Sequence, residues 1–209
     1  MTSAAGQVRP MARSMAWGPL AGAAAALGVI AVGLRPWEGH RLSLSAVRLA
    51  VALAAIAAAF GVDDSAAPTV AASPTPLSRR RATRLGLVLA GGAAVAAAAP
   101  LAIAALGGSG RLPLARVLLE ATGMQLAAIV CALLFGGDRG ACVFAGTLLG
   151  ALVVQQRFPD YALFPLAPDA PGWAPAGIAW VAIVVTAAGA VAALSRDPAS
   201  RRYRTSSDT

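Results

Sequence analysis

The sequence predicts an all-α membrane protein with six transmembrane helices. Of its 209 residues, 58% are hydrophobic and only 12% are charged, and the mean hydropathy is +0.70. A soluble domain carries roughly a quarter charged residues. Apolar runs of about 20 residues recur along the chain, and helices that are apolar on every side are typical of a lipid environment. We therefore expect one membrane domain over residues 16–194, between a polar lead (1–15) and a polar tail (195–209).

Six apolar segments are candidates to cross the bilayer, because about 20 residues at 1.5 Å per residue span a hydrocarbon core of ~30 Å. Pro36 separates the first two segments, and Pro100 is expected to kink the third. The fifth segment is short for a full crossing. The predicted spans are Ala16–Leu34, Ser43–Gly61, Leu85–Leu106, Pro113–Phe135, Ala141–Val154 and Ala176–Leu194.

The distribution of arginine predicts the orientation. All 17 basic residues are Arg, and 11 of them lie in the lead (two), in segment 62–84 (four), in the turn near residue 139 (one) and in the tail (four). Arginine concentrates on the cytoplasmic side of membrane proteins. Both termini and segment 62–84 are therefore predicted to be cytoplasmic. This placement accounts for the net charge of +8, so no nucleic-acid partner is expected. The use of arginine to the exclusion of lysine, together with the alanine content, suggests a GC-rich bacterial genome. With six predicted spans, the expected location is a bacterial plasma (inner) membrane, as a multi-pass protein.

No residue pattern indicates catalysis. The single histidine, His40, lies in a predicted outer turn, and metalloprotease, hydrolase and nucleotide-binding motifs do not occur. Cys131 and Cys142 are too few for a disulfide framework or a metal site, which predicts free thiols. We therefore predict that the chain is not an enzyme and itself binds no metal and no cofactor.

Four polar residues lie inside the predicted spans: Arg48, Arg116, Glu120 and Gln125. Arg48 and Glu120 have similar predicted depths, on the order of 10 Å below the outer surface. Arg116 lies one helical turn from Glu120. Charges inside a membrane are costly and are usually paired or functional. One hypothesis is a charge network that lines a substrate path or a gate. A structural ion pair, or an Arg48 side chain that extends towards the interface, explains the same residues.

The segment between the last two spans, residues 156–175, alternates aromatic, apolar and proline residues. It is too apolar for an ordinary solvated loop. Non-helical backbone at membrane depth is tolerated where it is enclosed by protein or lines a cavity. An interfacial or re-entrant segment on the outer side of the membrane is therefore predicted here.

The longest polar interruption is Val62–Arg84, which contains two adjacent carboxylates (Asp63 and Asp64), three prolines and four arginines. Residues Ser65–Ala72 can form a short amphipathic helix, and the basic run that follows would hold the third span at an anionic leaflet. A partner that presses on this helix would move both neighbouring spans. A simple connector with cytoplasmic arginines is the alternative interpretation.

Segment 62–84 resembles the loop between the second and third spans of ABC type-2 permeases, the membrane subunits of drug, polysaccharide and peptide exporters. In that family an acidic residue precedes a Gly-Thr-Leu-like stretch and then a Ser-Pro-Leu-Ser-Arg-like run into the third helix. Asp63 or Asp64 matches the acidic position, Thr69-Val70 the middle, and Ser73–Arg79 the end. The sequence departs from the pattern in having Ala-Pro before the threonine and an additional proline.

The resemblance implies a cytoplasmic coupling helix within 62–84 and an outer re-entrant region at 156–175. It also implies two protein partners: an ABC ATPase subunit, which would bind ATP and Mg²⁺, and a second permease chain, identical or related. The expected function is that of an exporter permease for an apolar or amphipathic substrate. The residues implied at the ATPase surface are Asp63, Asp64, Thr69, Val70, Arg79, Arg80 and Arg81.

Two other functions remain open at this stage. A non-transporting scaffold or accessory subunit of a membrane complex fits the short chain and the few polar residues in its spans. A secondary transporter usually needs more ionisable groups near the midplane than Glu120 supplies.

Overall fold

The computed structural model describes residues 17–33, 40–62, 77–105, 113–158, 162–165, 168–170 and 172–195, and all regular secondary structure in these residues is α-helical. The predicted all-α fold class is confirmed for this part of the chain. Its six helices are α1 (Gly18–Gly33), α2 (His40–Phe60), α3 (Leu77–Ala105), α4 (Leu114–Phe135), α5 (Gly137–Arg157) and α6 (Trp173–Leu194).

Three of the described helices are long and apolar enough to cross a membrane. Helices α4, α5 and α6 have 22, 21 and 22 residues, with mean hydropathies of 2.0, 1.4 and 2.2. Shorter apolar helical stretches occur in α2, over Leu44–Phe60, and in α3, over Ala82–Ala98. The length and composition of these helices indicate a membrane protein.

Two predicted boundaries are wrong, and both errors have the same cause. Helix α5 covers Gly137–Arg157, so it is not the short span that was expected to begin at Ala141. Helix α3 begins at Leu77, so the basic run before Leu85 is helical rather than part of a loop. Hydropathy marks where a helix becomes apolar, whereas polar residues can extend the same helix beyond that point. In α5, Asp138 lies in the first turn, where the helix dipole favours a negative charge.

Helices α2 and α4 form the centre of the bundle. Helix α2 packs against α1, α3, α4 and α5, and α4 packs against α2, α3, α5 and α6. The contact face of α2 presents alanine at every fourth position, with Ala50, Ala54 and Ala58 at most 1% exposed. Such small side chains let neighbouring backbones approach closely. Met124 and Ile129 of α4 fill the remaining space and are also fully buried.

The contacts between side chains show how the helices are directed. Arg48, in the first half of α2, contacts Glu120, near the start of α4. Arg116 of α4 in turn contacts Trp173, the first residue of α6. Helices α2, α4 and α6 therefore begin at the same end of the bundle. We call this the charged end, and we define it by Arg48, Arg116 and Glu120.

At the opposite end, a single glycine separates α4 from α5. Gly136 has φ = +86°, a conformation that glycine adopts without steric cost. One turn later, a Cβ atom on Gly140 would lie 2.4 Å from the Cα atom of Ala132. These two glycines allow α5 to fold back directly against the last turn of α4.

Candidate functional site

The central group of the charged end is the carboxylate of Glu120, which is 1% exposed. Arg48 donates two hydrogen bonds to it, from Nε to Oε2 and from Nη2 to Oε1, both 2.7 Å long. Arg116, one turn earlier on α4, donates a third from Nε to Oε1, also at 2.7 Å. One carboxylate is thus shared by two guanidinium groups from two helices. We call these three residues the charge cluster.

The remaining polar contact of Arg48 reaches the segment between α5 and α6. Its Nη1 donates a 2.7 Å hydrogen bond to the carbonyl oxygen of Pro165. Its guanidinium carbon lies 5.6 Å from the ring centroid of Phe164, within the range of a cation–π interaction. Arg48 is 7% exposed. Its side chain therefore points into the protein, which excludes the interpretation that it extends towards the interface.

The 162–165 segment is held at the charged end by three more contacts. Gln155, in the last turns of α5, accepts a 3.1 Å hydrogen bond from the backbone N–H of Phe164. Trp180 of α6 donates a 2.9 Å hydrogen bond from its indole nitrogen to the carbonyl oxygen of Leu163. The rings of Phe164 and Trp180 pack edge to face, with centroids 5.3 Å apart. Side chains from α2, α5 and α6 thus fix this segment beside the charge cluster.

Arg116 is the less completely paired arginine. Its guanidinium carbon lies 5.3 Å from the ring centroid of Trp173, and a Cβ atom on Gly177 would lie 2.8 Å from its Nη1. A side chain at position 177 would therefore displace Nη1 of Arg116 from its present position. Although Arg116 is 92% buried, its Nη2 has no hydrogen-bond partner among the described residues. A buried donor without an acceptor is costly and calls for an explanation.

Gln125 lies deeper in the bundle and apart from the charge cluster. It is 5% exposed, and its Nε2 also lacks a partner among the described residues. A Cβ atom on Gly92 would lie 2.4 Å from this nitrogen, so α3 approaches α4 closely where the amide is accommodated. Of the four polar residues predicted inside the spans, the structure therefore brings three together and places the fourth at the α3–α4 contact.

The residues predicted at an ATPase surface fall largely outside the described part of the chain. Asp63, Asp64, Thr69 and Val70 lie outside the described residues. Arg79, Arg80 and Arg81 belong to the beginning of α3. The neighbouring Arg84 donates a 3.0 Å hydrogen bond from Nε to the carbonyl oxygen of Gly61. This contact joins the first turns of α3 to the residue that follows α2.

Five residues around the charge cluster were not predicted from the sequence: Gln155, Phe164, Pro165, Trp173 and Trp180. A signal was present for three of them, Phe164, Pro165 and Trp173, since 156–175 is aromatic and apolar where a solvated loop would be polar. That signal predicted an enclosed segment but not its partners. The backbone carbonyl of Pro165 has no sequence signal, because every residue carries a carbonyl.

An open groove of about 650 Å³ lies at the other end of the bundle, around the turn between α4 and α5. Both apolar and charged side chains line it, and the Cys142 thiol is exposed there. Among the described residues no group of three or more metal-ligating side chains occurs. The groove residues are Leu134, Phe135, Asp138, Arg139, Cys142 and Val143.

Comparison with known proteins does not assign the chain to a class. No protein-family model matches the sequence, and neither a curated protein nor a solved structure is significantly similar to it. The charge cluster and the arrangement of the helices therefore carry the functional argument.

Proposed function

We propose that this protein is the membrane-embedded permease subunit of an ABC exporter in a bacterial plasma membrane. In this proposal all six helices cross the bilayer, both termini are cytoplasmic, and the charged end faces outward. Segment 62–84 holds a coupling helix that contacts a separate ATPase, and that partner binds ATP and Mg²⁺. ATP hydrolysis there would move an apolar or amphipathic substrate across the membrane. The chain itself would have no enzymatic activity.

The observation that carries the proposal is the position of α2. Its last residue, Phe60, lies just before segment 62–84, and Arg48, towards its other end, forms the bidentate contact with Glu120. Twelve residues of helix, about 18 Å, separate Arg48 from Phe60. The Arg84–Gly61 hydrogen bond couples α3 to the same end of α2. A force on segment 62–84 would therefore be transmitted by one rigid helix to the charge cluster.

The outer helices support a second chain in the assembly. Each of these helices has an apolar stretch of 18 residues, and only 11% of that stretch is buried within the protein in α6 and 22% in α5. The described core is filled by small and apolar side chains around α2 and α4. A translocation path would therefore lie between two permease chains rather than inside one. The path would suit an apolar or amphipathic substrate, because the exposed faces of α5 and α6 are largely apolar.

The test is co-purification from the native membrane in mild detergent, followed by mass spectrometry and an ATPase assay of the eluate. We expect a stoichiometric ATP-binding protein that is lost when residues 66–73 are replaced by Gly and Ser. A matched control replaces exposed residues of the charged end, such as Arg157, and retains the partner. Recovery of the chain without an ATPase would refute the exporter proposal.

A scaffold or accessory subunit is the second candidate, and the closed geometry of the charge cluster favours it. Glu120 accepts three hydrogen bonds and is 1% exposed, an arrangement that would also rigidify a static bundle. The two functions differ in one measurable property. In a working permease the distance between spin labels on α2 and on the 162–165 segment changes with the nucleotide state of the ATPase. In a scaffold it stays constant.

A further inference from the structure

The charge cluster is not electrically neutral. Two guanidinium groups, Arg48 and Arg116, share the single carboxylate of Glu120. Arg48 makes its second contact with an uncharged carbonyl oxygen. The cluster therefore keeps one positive charge, although its two arginines are more than nine-tenths buried. An uncompensated buried charge is strongly unfavourable, and more so in a membrane protein.

The excess charge is located at Arg116. Arg48 places Nε and Nη2 on Glu120 and Nη1 on Pro165, so each of its three nitrogens has an acceptor. Arg116 uses Nε for Glu120, and its buried Nη2 has no acceptor among the described residues. Among the residues that the structure describes, a missing acceptor and a missing negative charge thus coincide at one guanidinium group. A water molecule would supply the first but not the second.

The helix ends around Arg116 add to the positive potential. Helices α4 and α6 both begin at the charged end, where each helix dipole is positive. Neither helix has an acidic residue in its first turn or a side-chain hydrogen bond at its N-cap. Arg116 lies against the first turn of α6, next to the ring of Trp173. That ring is only partly buried, so the guanidinium lies against a side chain that itself reaches the surface.

We propose that Arg116 and the first turn of α6 form a binding site for an oxyanion, the phosphate or carboxylate headgroup of an anionic amphiphile. The headgroup accepts a hydrogen bond from Nη2 of Arg116 and neutralises the excess charge, and the acyl chains lie along the exposed apolar face of α6. Ile178, Val181 and Val185 form part of that face. This inference does not depend on an ATPase partner. If the export proposal also holds, it narrows the substrate to anionic amphiphiles.

The experiment is a lipid titration of the full, delipidated chain in detergent, read by native mass spectrometry. Phosphatidylglycerol is the probe, and phosphatidylcholine is the zwitterionic comparison. We expect the wild type to retain phosphatidylglycerol preferentially. The Arg116→Gln variant should weaken that binding roughly tenfold or more, because it loses a charge-assisted hydrogen bond. Arg157→Gln is the matched control, since Arg157 is exposed in the last turn of α5 at the same end, and it should bind as the wild type does.

A second pair of variants keeps every charge and thus tests the geometry even if Arg116→Gln fails to fold. In Gly177→Ala the new Cβ displaces Nη1 of Arg116, whereas a Cβ on Gly189 of the same helix meets nothing within 4 Å. We expect weaker phosphatidylglycerol binding in Gly177→Ala and wild-type binding in Gly189→Ala. Circular dichroism establishes that each variant is folded.

Competition with inorganic phosphate identifies the source of the oxyanion. If phosphate displaces the lipid, the oxyanion alone is recognised. If phosphate does not displace it, the acyl chains contribute to binding. Either result supports the site, provided that lipid binding depends on Arg116. Equal binding of phosphatidylglycerol by the wild type, Arg116→Gln and Gly177→Ala overturns the proposal. So does a wild type that does not distinguish phosphatidylglycerol from phosphatidylcholine.

Discussion

Helices α4 and α6 are nearly equivalent as sequence signals but lie in opposite environments. Each has 22 residues, and their mean hydropathies are 2.0 and 2.2. However, 50% of the 18-residue apolar stretch of α4 is buried within the protein, compared with 11% of that of α6. Hydropathy reports whether a helix is stable in lipid, not which neighbours it has. The difference lies in the polar residues, because α4 contains Arg116, Glu120 and Gln125. A membrane helix that carries such groups must enclose them in protein.

The largest expected effect comes from removing the charge of Glu120 on α4. In Glu120→Gln two buried guanidinium groups lose their counter-charge, which should reduce the free energy of unfolding by about 3–5 kcal/mol. Equilibrium unfolding in mixed detergent, followed by circular dichroism, measures it. Thr122→Val is the control, because the exposed Thr122 hydroxyl donates its hydrogen bond to the carbonyl oxygen of Leu118 in its own helix. Equal stability of the two variants would contradict the role of Glu120.

Exchanging the charges across α2 and α4 tests the pairing itself. The Arg48→Glu, Glu120→Arg double variant should be more stable than the sum of its single variants predicts, with a coupling energy of about 1–3 kcal/mol. Recovery should be incomplete, since an arginine at position 120 would lie one turn from Arg116. A double-mutant cycle of unfolding free energies measures the coupling. Strict additivity would show that the two positions do not interact.

A matched pair of isoleucines sharpens the contrast between the two helices. Ile129 of α4 is 0% exposed, and Ile178 of α6 is 74% exposed. Ile129→Ala should lower the free energy of unfolding by about 2 kcal/mol, because it leaves a cavity in a packed core. Ile178→Ala should change the unfolding free energy by less than about 0.5 kcal/mol. If the two variants lower the free energy of unfolding equally in detergent, Ile178 is packed against protein, and its part of the α6 face is a chain–chain contact rather than a surface that faces lipid or a substrate path.

The smallest expected effect concerns two glycines. A Cβ on Gly123 of α4 would lie 2.5 Å from a ring carbon of Trp180, whereas one on Gly189 of α6 has open space. Gly123→Ala should destabilise the fold by about 1 kcal/mol through overpacking. Gly189→Ala should be neutral or stabilising by up to about 1 kcal/mol, since alanine favours the helix. Thermal unfolding of the two variants in parallel compares them, and a neutral Gly123→Ala would mean that α4 and α6 separate easily.

Parts of this arrangement could be predicted, and the limits of prediction have physical causes. The similar depth of Arg48 and Glu120 and the one-turn spacing of Arg116 follow from counting residues along helices. The ends of α3 and α5 were misjudged because charged residues continue a helix past its apolar part. The interior direction of Arg48 depends on the rotation of α2 against α4, which an alanine-rich helix does not encode strongly.

The sequence by itself determined that the helices suit a lipid environment, that the fold class is all-α, and at which positions charged residues lie within apolar helices. These properties depend on composition and on spacing along the chain. Only the tertiary structure decided that Glu120 is shared by two arginines, one of them 72 positions away, and that Pro165 supplies a carbonyl to Arg48. It also decided that α4 is central and α6 peripheral. Those outcomes depend on how helices of similar hydropathy rotate and pack, and packing rather than transfer from water distinguishes the arrangements.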